Sequence, residues 1–274
     1  MAMKERQAIK DRFKGKVAII TGGSAGIGRA TMEEMCKEGA SVAFTGTREF
    51  GATLAKEMKD AGFEAVYCRG DMADEQFCRD VVALALEKWG KVNYLFNNAF
   101  SFTAKGMDAA RDDWERVWQV GPMAYALMGS LVAEPMKKQG GGAIVNMSSI
   151  SAFIAQPNRW TYNAAKGAVN TLTKCMALDL APYGIRVNSV SPGWIWTREV
   201  DKAARGDRAK WEPIWGQFHM LERCGEAVEC AGPVLFLFSD DASFITAADL
   251  PIDGGYQGLG GEGLGKASVF VGSK

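Results

Sequence analysis

The segment TYNAAK sets Tyr162 and Lys166 four residues apart, on one face of any helix that contains them. A phenol with a pKa near 10 is a poor proton donor or acceptor at neutral pH. An ammonium one turn away lowers that value by charge proximity. Such a pair can give a proton to an oxygen that is gaining charge, or take one back. Ser149 lies thirteen positions upstream, just past the apolar run GAIVNM. Its hydroxyl can hold the same oxygen, a small oxyanion-type contact. A second cluster is TGGSAGIG at 21–28, between the β-rich KVAII and the helical pattern RATMEEMCKEG. Glycines there (Gly22, Gly26 and Gly28, with Ser24 and Ile27 between) let the backbone turn tightly against a pyrophosphate at a helix N-terminus.

These residues need a frame. Short Val/Ile/Ala-rich runs at 16–20, 41–46, 64–68, 92–96, 142–147, 185–190 and 249–253 read as strands. Helical patterns follow the glycine turn and occupy 52–60, 74–89, 112–138, 162–181 and 226–238. Strands alternating with helices specify right-handed βαβ units, hence an α/β fold with a parallel sheet covered on both faces. No repeat or linker divides the chain. One domain over 1–257 is expected, with a charged leader at 1–13 and a lid at 198–222. A glycine-rich tail at 258–274 is either an appendage or an arm packed on a neighbouring subunit.

With 274 residues, 47% hydrophobic and 23% charged, the chain can bury a full core. Lys+Arg and Asp+Glu balance at 32 each, which argues against nucleic acid or an anionic membrane as partner. The six cysteines form no C-x-x-C pair and His219 stands alone, so no metal site is expected and the thiols read as free. The first sixteen residues are charged where a signal peptide would be apolar, and no long uncharged apolar stretch exists. A soluble, cytoplasmic protein is expected.

The spacing T-G-x-x-x-G-x-G from Thr21 resembles the short-chain dehydrogenase/reductase family, and so does the Ser149/Tyr162/Lys166 set. GDM (70–72), NNA (97–99), SPGWIWT (191–197) and DGGY (253–256) match that family in order, over residues 14 to 256. The resemblance implies a Rossmann-like, doubly wound sheet of about seven strands in the order 3-2-1-4-5-6-7. It implies a nicotinamide dinucleotide, with Asp71 at the adenine, beside Met72, and Asn98 and Ala99 along the nucleotide. Pro192, Gly193, Ile195 and Thr197 would follow, the last two reaching the carboxamide, and Lys166 would also hold the nicotinamide ribose. It further implies a homo-oligomer, tetramer or dimer, with 120–136 and helix 162–181 as possible interfaces.

The chain departs from the family pattern in two places. Seven residues after Trp114, where the family carries an asparagine that holds a relay water, this chain has Gly121-Pro122. A carbonyl freed near Gly121, with extra water, is expected to replace the amide. Bile-acid hydroxysteroid dehydrogenases in the family also include members without that asparagine, and this region resembles them distantly. Phe100 replaces the glycine of NNAG and should narrow or floor the substrate cavity. The end of the second strand reads Gly46-Thr47-Arg48, with no acid to repel a 2′-phosphate, so NADP(H) is favoured. Ala25 lacks the basic residue of many NADP-binding loops, which keeps NAD(H) as the alternative. The lid and its approach hold Trp194, Trp196, Trp211 and Trp215, and Trp160 precedes the tyrosine. Such surfaces suit a bulky cyclic ketone or alcohol (steroid, bile acid or flavonoid-like), with Phe100, Ser151, Trp160, Trp194 and Trp215 as contacts. Lid packing, with a small polyol or sugar as substrate, is the competing reading, and a nucleotide binder without catalysis is a third.

Overall fold

The computed structural model describes residues 3–260 and 263–264. The first half runs β1 (Val17–Ile20), α1 (Gly26–Lys37), β2 (Ser41–Gly46), α2 (Phe50–Asp60), β3 (Ala65–Arg69), α3 (Glu75–Trp89) and β4 (Tyr94–Asn97). It continues with α4 (Arg111–Trp118), α5 (Ala124–Lys138), β5 (Gly142–Met147), α6 (Trp160–Leu180) and β6 (Ile185–Pro192). Then come β7 (Ile195–Trp196), α7 (Arg198–Ala203), α8 (Arg208–Gly216), β8 (Gly225–Glu226), α9 (Ala227–Phe238) and β9 (Asp249–Ile252).

Seven strands form one parallel sheet in the order β3-β2-β1-β4-β5-β6-β9, the order expected, with β9 in the last place. Alternate residues of a strand face opposite sides. Ala18 and Ile20 therefore join Met32, Met35, Val234 and Leu235 from α1 and α9 in one core. Ile19 joins Val81, Val82, Met128 and Val132 from α3 and α5 in the other. Helices on both faces explain why the central strands are apolar throughout rather than alternating.

The helical stretch expected over 112–138 is interrupted at its Gly-Pro pair: α4 and α5 are joined by a wide turn at Gln119–Met123, where Gly121 is non-helical at φ −92°, ψ −110°. Pro122 cannot donate to the ladder, so the break falls there. The charged leader does not stand apart. Phe13 is buried, and the buried Glu38 carboxylate pairs with Arg6 and Arg12 and accepts the Ile9 N–H at 3.0 Å. The lid contains α7 and α8, and β7 pairs with β8 just outside it. The tail expected at 258–274 falls mostly outside the described residues. Among those described, no helix is long and apolar enough to cross a membrane, and no cluster of metal-ligating residues occurs.

Candidate active site

A cleft of about 510 Å³ opens where β1, β4, β5 and β6 end. Loops at the carboxyl ends of parallel strands are where α/β sheets bind ligands. Its floor at one end is the turn after β1. Gly22 takes φ +64°, and a Cβ there would sit 2.9 Å from Asn98 Nδ2 and 3.0 Å from Ala99 Cα. No side chain caps α1, so its first N–H groups keep their capacity for an anion. These features form a cradle that fits a pyrophosphate.

Of the residues expected at the dinucleotide, Gly22, Ser24, Gly26, Ile27, Thr47, Arg48, Asp71, Met72, Asn98 and Ala99 all line the cleft. Pro192, Gly193, Ile195 and Thr197 line its other wall, with Tyr162 and Lys166. Gly28 does not. It lies beneath the turn, where any Cβ would collide with Asn98 and Gly22, so its role is close packing. Asn98 supports the turn as well, since its Nδ2 donates to the Thr21 carbonyl at 2.9 Å. Thr21, read only as the start of the glycine pattern, accepts both the Asn98 and Ala99 N–H groups on its hydroxyl, at 2.9 and 3.0 Å. Asp71 accepts the Ala73 N–H and pairs with Arg116 at 2.8 Å. Burial alone would raise its carboxyl, but those two hydrogen bonds outweigh that and hold it below the usual range. Arg198 and Lys202, both sharing Glu199, line the same cleft as Arg48, which no local motif could reveal.

Ser149, Tyr162 and Lys166 meet at the other end. β5 delivers Ser149 just past its last residue, and α6 presents Tyr162 and Lys166 one turn apart. The Tyr162 phenol is raised to about 12, burial outweighing the hydrogen bond with the Ser149 hydroxyl and the Arg159 charge, which both lower it. Burial holds Lys166 well below the ordinary lysine value. In the protein alone, the lowering of the phenol expected from Lys166 does not appear, and desolvation governs it. The neutral phenol is a proton donor as it stands. Lys166 Nζ donates to the Met147 carbonyl at 2.7 Å.

The relay expectation at Gly121 is overturned. A Cβ on Gly121 would lie 2.5 Å from Phe100 Cε2, so the aromatic ring fills the space assigned to water. The Gly121 carbonyl accepts the Ala124 N–H and is not free. Phe100 lines the cleft as foreseen, and Phe102, not foreseen, stacks on Tyr162 at 5.7 Å between centroids.

The lid tryptophans do not line the cleft. Trp215 is buried and stacks on Trp194 at 4.8 Å and Trp211 at 5.2 Å, with Trp196 tilted against it at 5.9 Å. They form their own small core with Val200, Ala204 and Cys224. Apolar area in a short excursion from the sheet has to be covered, and these rings cover one another. Ser151 is buried and donates to Gln156 at 2.6 Å, and Trp160 is half exposed outside the cleft. Ser151, Trp160, Trp194 and Trp215 therefore leave the set of lining residues. His219 is structural, its Nε2 accepting the Trp194 N–H at 3.1 Å.

Residues 22–257 match the family described as enoyl-(acyl carrier protein) reductase. The chain is 35% identical over 250 residues to a cyclopentanol dehydrogenase of Comamonas testosteroni, covering 89% of this chain and 98% of that protein. It is 37% identical over 248 residues to an L-rhamnose 1-dehydrogenase (NAD(P)(+)) of Sphingomonas sp., covering 89% of this chain and 96% of the relative. The crystal structure of levodione reductase superposes with a TM-score of 0.84 at 31% identity, covering 90% of this chain and 99% of that one. The chain belongs to the short-chain dehydrogenase/reductase family, NAD(P)-dependent oxidoreductases acting on CH–OH and C=O groups.

Proposed function

We propose that this protein moves a hydride between NADP(H) and a secondary alcohol or ketone carried on a single ring. Tyr162 is the acid/base, Ser149 holds the reacting oxygen, and Lys166 tunes Tyr162 and holds the ribose. The observation that carries the reading is the convergence of a phenol, an ammonium and a hydroxyl beside a glycine cradle in one cleft. A bound nicotinamide nucleotide supplies or accepts the hydride. Tyr162 gives its proton to the carbonyl oxygen during reduction, and burial keeps it in the protonated form that this direction needs. Oxidation needs the phenolate, which Ser149 and nearby positive charge favour.

Preference for the 2′-phosphate rests on Arg48, Arg198 and Lys202, which line the cleft together with two carboxylates, Glu199 and Asp71, the latter paired with Arg116. An aspartate at Gly46 would also have to displace Ser24, because a Cβ there runs into the serine hydroxyl. The ring size rests on two observations. The four lid tryptophans, a main ground for expecting a polycyclic ligand, pack on one another. Two relatives are named for cyclopentanol and L-rhamnose. A polycyclic substrate is the second reading, favoured by the exposed Phe102 ring lying flat beside Tyr162. Exposed Met123 and Leu178, near α5 and on α6, support a homo-oligomer.

The test is steady-state turnover of cyclopentanol, L-rhamnose and a steroid alcohol with NADP+ and with NAD+. Cyclopentanol oxidation with a lower KM for NADP+ is expected. Turnover of the steroid alone favours the second reading. Nucleotide binding without turnover of any alcohol defeats the enzyme assignment of these residues.

A further inference from the structure

Lys166 is almost wholly buried, and its ammonium sits 3.5 Å from the centroid of the Phe100 ring. A cation over a ring face is attracted by the negative quadrupole of the ring, most strongly where water is excluded. The ammonium has three donors. One goes to the Met147 carbonyl at 2.7 Å, the ring covers another direction, and Lys166 faces the cleft with the rest. The ring itself is wedged, edge-on to Tyr162 at 5.3 Å and to Tyr125 at 6.3 Å. Behind it lies Gly121, where a Cβ would come within 2.5 Å of Cε2 and 3.0 Å of Cζ. At φ −92°, ψ −110°, before Pro122, the backbone of Gly121 lies outside the regions open to most residues, so the glycine serves both that turn and the room for the ring.

We infer that Phe100 is a positioning residue for Lys166 and that Gly121 is the space its ring requires, so that the two residues act as one coupled unit. This inference rests on the proposed role of Lys166 and deepens it. A lysine has four rotatable side-chain bonds and no fixed direction of its own. Between the Met147 carbonyl and the Phe100 face, its head group has one orientation, toward the cleft. Around the head group are the Phe100 ring after β4, the Tyr162 ring on α6 at 5.6 Å and the Met147 carbonyl of β5; Tyr125 on α5, fully buried, packs edge-on against Phe100, and Arg159, just before α6, is the charge that acts on Tyr162. The ring and one carbonyl are what hold the head group in place.

The first measurement needs no substrate. In 1H–15N spectra of the full chain, the Lys166 ammonium, assigned by its loss in Lys166→Met, is expected to be shifted upfield by the ring and to lose that shift in Phe100→Leu. In turnover of cyclopentanol with NADP+, Phe100→Leu is expected to lower kcat about tenfold with the alcohol KM within about threefold. It should also displace the kcat–pH profile, which a merely structural role would leave in place. A thermal-stability cycle reads the coupling: Gly121→Asn alone destabilises, and Phe100→Gly/Gly121→Asn recovers more than the sum of the singles. An unshifted Lys166 resonance in the wild type, an unmoved pH profile, or strictly additive substitutions each overturn the inference. If no alcohol is turned over, the functional reading fails, while the spectra and the stability cycle still decide the role of Phe100.

Discussion

The cleft and the lid are both rich in aromatic and glycine signals, yet only the cleft uses them where the sequence suggests. At the cleft the informative residues lie within one turn or one helix. Gly22 and Gly26 share a loop, and Tyr162 and Lys166 share a face of α6, so local geometry alone brings each set together. In the lid, Trp211 and Trp215 also share a helix, α8, but Trp194 comes from the turn between β6 and β7, and its stacking on Trp215 at 4.8 Å exists only after folding. An aromatic-rich segment thus reports burial, and only the three-dimensional arrangement says whether the burial is against substrate or against itself.

The sharpest way to stress the cleft side is Lys166→Met, expected to lower turnover by roughly 10²–10³-fold, within the range of acid–base contributions. Steady-state rates at saturating nucleotide check it. On the lid side, Trp215→Ala should destabilise by about 3–5 kcal/mol, as expected for truncating a buried tryptophan. Thermal unfolding should then drop by roughly 10 °C. The KM for cyclopentanol should change by less than about threefold. An unchanged melting temperature with a tenfold higher KM would instead return Trp215 to the substrate wall. At the nucleotide end, Arg48→Ser should weaken NADPH binding about tenfold, near 1.4 kcal/mol, and leave NADH binding nearly as it was. Titration with both nucleotides separates the outcomes.

The smallest effect concerns the latch between the regions. His219 is buried and holds the Trp194 N–H, and burial keeps its pKa below 6.5. Its folded value is depressed, so its contribution to stability is complete above pH 6.5 and is lost as pH falls toward the folded value. It is the chain's only histidine, and no other side chain ordinarily titrates in that window. Melting temperatures between pH 7 and 5 should fall less in His219→Asn than in the wild type. Equal slopes would remove the latch.

Much of the frame was legible in the sequence, because the alternation of strands and helices fixes a parallel sheet and the motifs fix its order. Sixteen of the seventeen positions expected at the cofactor line the cleft, Gly28 alone serving as packing. What stayed hidden depends on contacts between distant segments. Phe100 and Gly121 are twenty-one positions apart and read separately as oddities, while their meaning lies in the contact between them. Arg198 and Lys202 reach the same cleft as Arg48 from a lid helix, and Arg6 and Arg12 find Glu38 across the α1 turn. No spacing rule connects such pairs, because tertiary packing, not local geometry, sets their separation.

The central claim is that Tyr162 transfers the proton, and Tyr162→Phe tests it most directly because it removes one oxygen and little volume. Nucleotide-dependent oxidation of cyclopentanol should fall by about 10³-fold or more, with NADPH affinity within about threefold of the wild type. Turnover in Tyr162→Phe equal to that of the wild type would contradict the account.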